Sequence, residues 1–470
     1  MSFFSIEFSV ILLLFFILYW LVPSSKAQNL ALLAFNYFII YLFSPYFALI
    51  VFIYTCFVYV LALFIDSVRS HFIFLACVLF AVLFLCFFKY YAHIKDEFDT
   101  LLVLLGLDFL EIDIIFPLGI SFYTFASITY LRSVYENTKE LVQDKYYEES
   151  NPALEGFFAL ATYLSFFVTF IAGPIMRSQY FFTQYHAKRT FGSIDLIIAL
   201  LLFGLVKKTI IANYLGNYAT PILDAPFEYH SLELLSATFA YSWQLYCDFS
   251  GYVNLVCAFG LMLGFTLPPN FNMPYMAKNL KDFWNRWHIS LSTFIRDYIY
   301  IPLGGNKKGF FYTQLFVLIA FGLSGLWHGN TWTFLLWGLL HGLGIIWLNI
   351  LKLIEFDLQD FPFFGAFFTF LFVSFCWIFF YYHSLNEVSS FFIAFYQGFE
   401  SPVPTYTWWL LGAFFICFIS YPLMRNSINL TQKVLSFIPW FIKPFVLSLI
   451  LTLLIVIMPS GIPHFIYASF

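Results

Sequence analysis

The sequence predicts an all-helical protein that crosses a lipid bilayer many times. Of its 470 residues, 62% are hydrophobic, 24% are aromatic and only 10% are charged. A soluble domain needs about a quarter of its residues charged to cover its surface, so lipid must be the solvent for most of this chain. The apolar stretches run continuously for about 20 residues, the length of a transmembrane helix, and lack the alternation of a membrane β-barrel.

The apolar stretches follow one another along the chain with few charged residues between them. We expect about 11 transmembrane helices, with re-entrant or interfacial helices where Gly and Pro break a stretch too early to cross. The candidate stretches include residues 231–250, 252–267, 311–327 and 332–354. No internal repeat or linker divides the sequence, so we predict a single membrane domain over residues 1–470.

Basic residues concentrate in one segment, residues 278–308. It holds six of the 22 lysines and arginines and only two acidic residues, and the positive-inside rule places it on the cytoplasmic face. Apolar residues recur at helical spacing from Leu291 to Ile299, which predicts an amphipathic interfacial helix that stops at Pro302 and Gly304. This basic segment is either a plain anchor or a rim that attracts a phosphate-bearing donor. With a net charge of −4, we expect no nucleic-acid partner.

Three of the nine histidines lie where an imidazole could act chemically. His328, in the sequence GLWHG, lies between two apolar stretches, where an ionisable ring is costly unless it faces a cavity. Imidazole can serve as base, acid or nucleophile, so His328 is a candidate catalytic residue, with a structural histidine as the alternative. His341 would lie about 220° around a continuous helix from His328, and we expect it to be structural. His288, in the basic segment, has the neighbours of an interfacial residue.

Other catalytic signatures are missing from the sequence. There is no GxSxG elbow, no GxxxxGK[ST] phosphate loop, no GxGxxG, no HExxH and no HxxxxD, which removes the usual signals of several hydrolase, nucleotide-binding and acyltransferase classes. The seven cysteines are scattered without a CxxC pair. We therefore predict neither a disulfide framework nor a metal site.

Six motifs occur in order along the middle of the chain. They are FPLGISFYTF at 116–125, AGPIMR at 172–177, CDFSGY at 247–252, DFWNRWHISLS at 282–292, RDYIYIPLGG at 296–305 and LWHG at 326–329. The set resembles the membrane-bound O-acyltransferase (MBOAT) family, in the bacterial branch of the alginate and peptidoglycan O-acetyltransferase membrane subunits and the D-alanyl transferases (AlgI, PatA and DltB). The motif-bearing core covers about residues 116–345, and the flanking helices of 1–115 and 346–470 match in hydropathy.

The resemblance implies a site. It makes His328 the catalytic histidine and His288 a second histidine on the cytoplasmic side of a central funnel. Other residues in or beside the same motifs would bind the donor, and the basic segment would hold its phosphates; these residues are Asp248, Trp284, Arg286, Trp327, Asn330, Arg296 and Lys281.

The resemblance also implies a reaction. The chain would take an acetyl group from acetyl-CoA, a substrate rather than a bound cofactor, and pass it across the bacterial inner membrane to an envelope polysaccharide, peptidoglycan or an alginate-like exopolysaccharide. An extracytoplasmic SGNH-type esterase would be its partner. Alternatives remain, namely D-alanyl transfer to teichoic acid from a carrier-protein thioester, a transporter or flippase that needs no acyl donor, and a scaffold that only recruits an esterase.

Overall fold

The computed structural model describes residues 6–105, 116–136, 152–355, 361–400 and 402–459. Every regular element in these ranges is a helix, which confirms the all-α prediction. The chain divides into two compact units, Met1–Gly192 with Phe259–Leu267 and Ser193–Ala258 with Pro268–Phe470. The prediction of one membrane domain stays a prediction.

The first unit is built from eight helices among its described residues. They are α1 (Ile6–Leu21), α2 (Ser25–Phe43), α3 (Pro45–Val68), α4 (His71–Leu104), α5 (Ile120–Tyr135), α6 (Pro152–Leu164), α7 (Phe167–Phe170) and α8 (Ser178–His186). Its core is aromatic, with the rings of Phe15 and Phe35 stacked 3.7 Å apart. The buried guanidinium of Arg189 donates hydrogen bonds to the Asn29 side chain and the Tyr185 carbonyl, which tie the end of α8 to α2.

The second unit contains the remaining helices of the described chain. They are α9 (Ile194–Leu205), α10 (Ala212–Asp224), α11 (Ser231–Met262, which continues into the first unit's segment), α12 (Leu280–Trp284), α13 (Ile289–Ile295), α14 (Ile301–Leu303), α15 (Phe310–His328), α16 (Trp332–Leu353), α17 (Pro362–Tyr381), α18 (Leu385–Gln397), α19 (Thr405–Ser420), α20 (Ser427–Phe437) and α21 (Lys443–Ile457). Two π-helical turns continue neighbouring helices, Val206–Ile211 between α9 and α10 and Arg296–Tyr300 between α13 and α14.

Seven helices among the described residues are long and apolar enough to cross a membrane. They are Pro45–Val68, His71–Tyr91, Ser231–Met262, Phe310–His328, Trp332–Leu353, Pro362–Tyr381 and Thr405–Phe437, and two shorter apolar helices are Glu7–Leu21 and Lys443–Ile457. The stretch Thr405–Phe437 consists of α19 and α20 joined by the 3₁₀ turn Tyr421–Asn426. The chain is therefore a multi-pass membrane protein. The total of about 11 crossings stays a prediction.

Helix α11 departs from the predicted pattern. The sequence suggested two stretches, 231–250 and 252–267, but one helix of 32 residues runs through Gly251. A Cβ on Gly251 would lie 3.0 Å from the carbonyl oxygen of Gly204 and from the backbone nitrogen of Lys208. This glycine is therefore a point of close helix packing and not a helix break.

The basic segment forms the predicted helix with two differences. The chain is helical from Ile289 to Leu303, but a π-helical turn shifts its phase midway. Pro302 lies inside the last turn and does not end it. The helix ends at Gly304, whose φ of 128° is readily adopted only by glycine.

Candidate functional site

His328 is the last residue of α15 and is 3% exposed. Its ring centroid lies 4.7 Å from that of Trp327, 4.9 Å from Trp337 and 5.3 Å from Phe380, in edge-on contacts. The imidazole is thus enclosed by aromatic rings from α15, α16 and α17. In such apolar surroundings an interaction with a developing charge is much stronger than in water.

Two glycines let α15 and α16 pack closely beside His328. A Cβ on Gly325 would come within 2.3 Å of the Phe334 carbonyl oxygen, and one on Gly338 within 2.2 Å of the Phe321 carbonyl oxygen. The obstacles are backbone atoms that cannot turn aside, so α15 and α16 approach this closely only because both positions lack a side chain. The two helices match the predicted stretches 311–327 and 332–354, and three residues connect them.

His288 is 1% exposed and does not lie at an exposed interface. It precedes α13 in the left-handed conformation, with φ 42° and ψ 53°. Histidine visits this region more often than most residues, and such strain is frequent at functional sites. The ring centroid lies 4.8 Å from that of Phe249 and 6.3 Å from Trp327. Both candidate histidines therefore pack against Trp327.

Asn270 fixes the protonation pattern of His288. The Asn270 Oδ1 atom accepts from the Ser290 N–H at 3.2 Å and from the Ser290 hydroxyl at 2.8 Å, which identifies it as the amide oxygen. His288 Nδ1 lies 3.1 Å from the same oxygen and must donate to it, so the lone pair of the neutral ring is on Nε2. Burial lowers the pKa of His288 to about 3, and the ring is therefore a neutral proton acceptor at physiological pH.

Asp248 is engaged in a buried ion pair that the motifs did not reveal. Its carboxylate bonds the ammonium of Lys208, and the two side chains are 3% and 0% exposed. The next residue, Phe249, contacts the His288 ring, so the pair is close to the site along α11. The signal that could have found Lys208 is its charge inside an apolar stretch, which is costly without a partner.

Trp284 and His341 also pack against Trp337. The ring of His341, 0% exposed, lies 5.0 Å from the rings of both Trp284 and Trp337. Trp337 thus contacts His341 and His328 at once. The two histidines belong to separate helices, so the angle of about 220° expected on one continuous helix does not apply to them. The structural role of His341 stays a prediction.

The remaining predicted donor contacts are distributed along the basic segment. Arg286 pairs with Asp282 at 2.7 Å, and Lys281 Nζ bonds Asn349 Oδ1 at 2.6 Å. Arg296 pairs with Asp297 at 2.7 Å, and this hydrogen bond raises the pKa of the guanidinium. Arg296 and Lys281 are exposed, and Asn330 is exposed beside the hairpin turn. The structure therefore gathers Trp284, Trp327 and the two histidines, and leaves the cations at the surface.

Within the described ranges, no group of three or more His, Cys, Asp or Glu could hold a metal ion. The groups that could react at this site are the buried imidazoles of His328 and His288, which pack against indole rings. The fold and the site together define a class of protein. It is a multi-pass helical membrane protein with a histidine at the tip of a tight helical hairpin.

The family model of the membrane-bound O-acyltransferase family (MBOAT) matches residues 102–386, and the chain belongs to this family. This confirms the resemblance carried by the six motifs. The match includes every residue predicted for the site.

Similar proteins are named for acyl transfer to peptidoglycan, alginate or teichoic acid. The chain is 34% identical over 316 residues to a peptidoglycan O-acetyltransferase of Helicobacter pylori, covering 63% of this chain and 59% of that protein. It is 36% identical over 276 residues to a probable alginate O-acetylase AlgI of Azotobacter vinelandii, covering 58% and 52%. A teichoic acid D-alanyltransferase of Streptococcus thermophilus is 29% identical over 222 residues, covering 43% and 54%. The matched region thus spans little more than half the length of these relatives.

Proposed function

We propose that this chain is the membrane subunit of an O-acyltransferase of the bacterial inner membrane, which moves an acetyl group from acetyl-CoA towards an envelope polysaccharide. The observation that carries the proposal is His328, buried among aromatic rings at the tip of the α15–α16 hairpin. Membership of the MBOAT family and the names of the acetyl-transferring relatives support it.

The position of the basic segment favours a cytoplasmic donor. Lys281 bonds Asn349 near the end of α16, and Asn349 bonds Gln314 near the start of α15, so Lys281 lies at the end of the hairpin opposite His328. From there the basic segment reaches inward to His288, which packs on Trp327. Helix α15 has 19 residues and is roughly 28 Å long. A donor whose phosphates are held by Arg296 and Lys281 stays on the cytoplasmic side, and only its acetyl group needs to move inward.

The chemistry proposed for His328 has two forms. As a general base, its imidazole takes the proton of the acceptor hydroxyl while the oxygen attacks the thioester carbonyl; the thiolate then leaves and recovers that proton. As a transient acyl carrier, an imidazole nitrogen forms the bond to the acetyl carbon and the thiolate leaves. The hydroxyl oxygen then attacks the same carbon, the carbon–nitrogen bond breaks to release the imidazole, and the hydroxyl proton goes to the thiolate. In both forms His288 Nε2 is a second neutral acceptor, oriented by Asn270.

The polymer that accepts the acyl group is inferred by analogy with the named relatives. Peptidoglycan and an alginate-like exopolysaccharide are the two candidates, and an extracytoplasmic SGNH-type esterase would complete the transfer to the sugar. The D-alanyltransferase relative supports a second candidate, in which a carrier-protein thioester donates D-alanine to teichoic acid.

The test compares His328→Ala with wild type at matched membrane levels. Acetate and D-alanine released by base are measured separately from purified peptidoglycan, exopolysaccharide and teichoic acid. His71→Ala is the control, because His71 is an exposed histidine of the first unit. We expect loss of at least about 100-fold for His328→Ala in one fraction only, and retention in the control. Unchanged ester content in His328→Ala would refute the assignment, and loss of D-alanine alone would select the second candidate.

A further inference from the structure

A cleft of about 560 Å³ opens in the second unit between α10, the loop that follows it, and the start of α19. Its walls are mainly aromatic. The lining includes Tyr218, Tyr229, Tyr406 and Trp409, with Asn217 as an amide. We call it the aromatic cleft. Trp409 is 77% exposed, so its ring is presented at the mouth and not committed to the core.

The aromatic cleft lies at the His328 end of the hairpin. Phe380 packs on His328, and two residues later the Tyr382 hydroxyl donates to the Leu223 carbonyl at 2.6 Å. Leu223 follows Ile222, which lines the cleft. Because the cation Lys281 of the basic segment lies at the opposite end of the same hairpin, the positive-inside rule places the cleft on the extracytoplasmic side.

The charge around the aromatic cleft has one sign. Residues 209–277 and 353–424, which supply both of its walls, contain no lysine or arginine. Glu233, 4% exposed, accepts from the Tyr406 hydroxyl and from the His230 N–H. The exposed Glu228 precedes the lining residue Tyr229.

A second exposed carboxylate, Glu400, belongs to a segment that packs on the same wall. Glu400 follows Gly398, where a Cβ would lie 3.0 Å from the Tyr229 carbonyl oxygen, so the end of α18 is packed against the cleft wall. The cleft wall is thus aromatic. The buried carboxylate of Glu233 is bonded to its lining residue Tyr406, and the exposed Glu228 and Glu400 belong to the segments that form or pack on this wall.

Aromatic faces combined with carboxylates favour lysine and arginine side chains, which gain both cation–π and ionic contacts. We infer that the aromatic cleft docks a lysine- or arginine-bearing segment of an extracytoplasmic partner protein, the partner whose existence rests on the proposed function. A phospholipid ammonium group fits less well, since its phosphate would face carboxylates only. A second copy of the chain brings no cation from this same face.

The test measures peptide binding to purified protein in nanodiscs of zwitterionic phosphatidylcholine, which does not itself attract arginine, and without any acyl donor. The probes are a blocked hexapeptide with two arginines and the same peptide with citrulline, which keeps the shape and removes the charge. We expect binding of the arginine peptide alone, weakened when salt is raised from about 50 to about 500 mM. We expect at least a tenfold loss of affinity in Trp409→Ala and in the double variant Glu228→Gln/Glu400→Gln.

Trp408→Ala is the matched control. Trp408 is also exposed, at 59%, but does not line the cleft, so this variant should bind like wild type. No binding of the arginine peptide, equal binding of the citrulline peptide, or unchanged affinity in Trp409→Ala would overturn the inference. So would binding of chitotetraose in place of the peptide, which would make the cleft a sugar site. Because no donor is present, these outcomes are independent of the His328→Ala result.

Discussion

Replacing Gly325 by alanine should force α15 and α16 apart and displace His328. The new Cβ would lie 2.3 Å from the Phe334 carbonyl oxygen, about 1 Å short of an ordinary contact. Because that atom belongs to the backbone of α16, the helices themselves must move. Overpacking of this kind costs about 1–3 kcal/mol, and the better helix propensity of alanine returns at most about 1 kcal/mol.

The effect on transfer should exceed the effect on stability. His328 is one helical turn from Gly325, and a displacement of about 1 Å in a catalytic group reduces a rate about 100-fold. The assays are base-released ester from envelope polymers and the thermal melting temperature of the detergent-solubilised protein. We expect a strong loss of ester with only a moderate fall in melting temperature.

Gly322→Ala is the matched control on the same helix. The nearest atoms to its Cβ would be the ends of Leu339 and Leu335, at 3.6 and 3.7 Å, which are ordinary contacts. This variant should keep wild-type transfer and melt at the same or a slightly higher temperature. If Gly325→Ala and Gly322→Ala behave alike in both assays, close helix contact does not position His328.

Three further predictions concern the buried polar groups. The His288 pKa is about 3 in the folded protein, below its ordinary value of 6.5, so the unfolded chain binds a proton first as pH falls. The contribution of His288 to the free energy of unfolding should therefore be complete above pH 6.5 and fall below it, by about 2 kcal/mol at pH 5. The melting temperature should differ less between pH 7.5 and pH 5.0 in His288→Asn than in wild type. An equal difference in the two proteins would contradict the assignment. Asn270→Ala should cost about 1–3 kcal/mol and lower transfer, whereas unchanged transfer would show that the orientation of His288 is not needed. Lys208→Met should cost about 3–5 kcal/mol by leaving Asp248 buried alone, and the double variant Lys208→Met/Asp248→Leu should recover most of this; no recovery would mean that the pair is not the cause.

Hydropathy predicted the hairpin that carries the site. The stretches 311–327 and 332–354 correspond to helices Phe310–His328 and Trp332–Leu353, because the length of an apolar run directly reflects the thickness of the bilayer. The position of His328 between those stretches was enough to predict that it is important. The aromatic rings around it could not be predicted, because Phe380 lies 52 residues further along the chain in another helix.

Contacts between distant residues account for what the sequence could not predict. Gly251 suggested a break, but its role is to admit the backbone of Gly204 and Lys208, which only the packed helices reveal. Asp248 was predicted to bind the donor, and its ion pair with Lys208 joins residues 40 positions apart. A carboxylate that approaches a substrate and one that holds a buried lysine have the same local sequence.

The short connection between α15 and α16 bears on how the protein is made. Only Gly329, Asn330 and Thr331 join the two helices, so one helix cannot settle in the bilayer long before the other. The two must insert as a pair, with His328 near the leading tip. A histidine can make that passage uncharged, at far lower cost than a lysine or arginine. Biosynthesis as well as chemistry therefore favours an imidazole at this position.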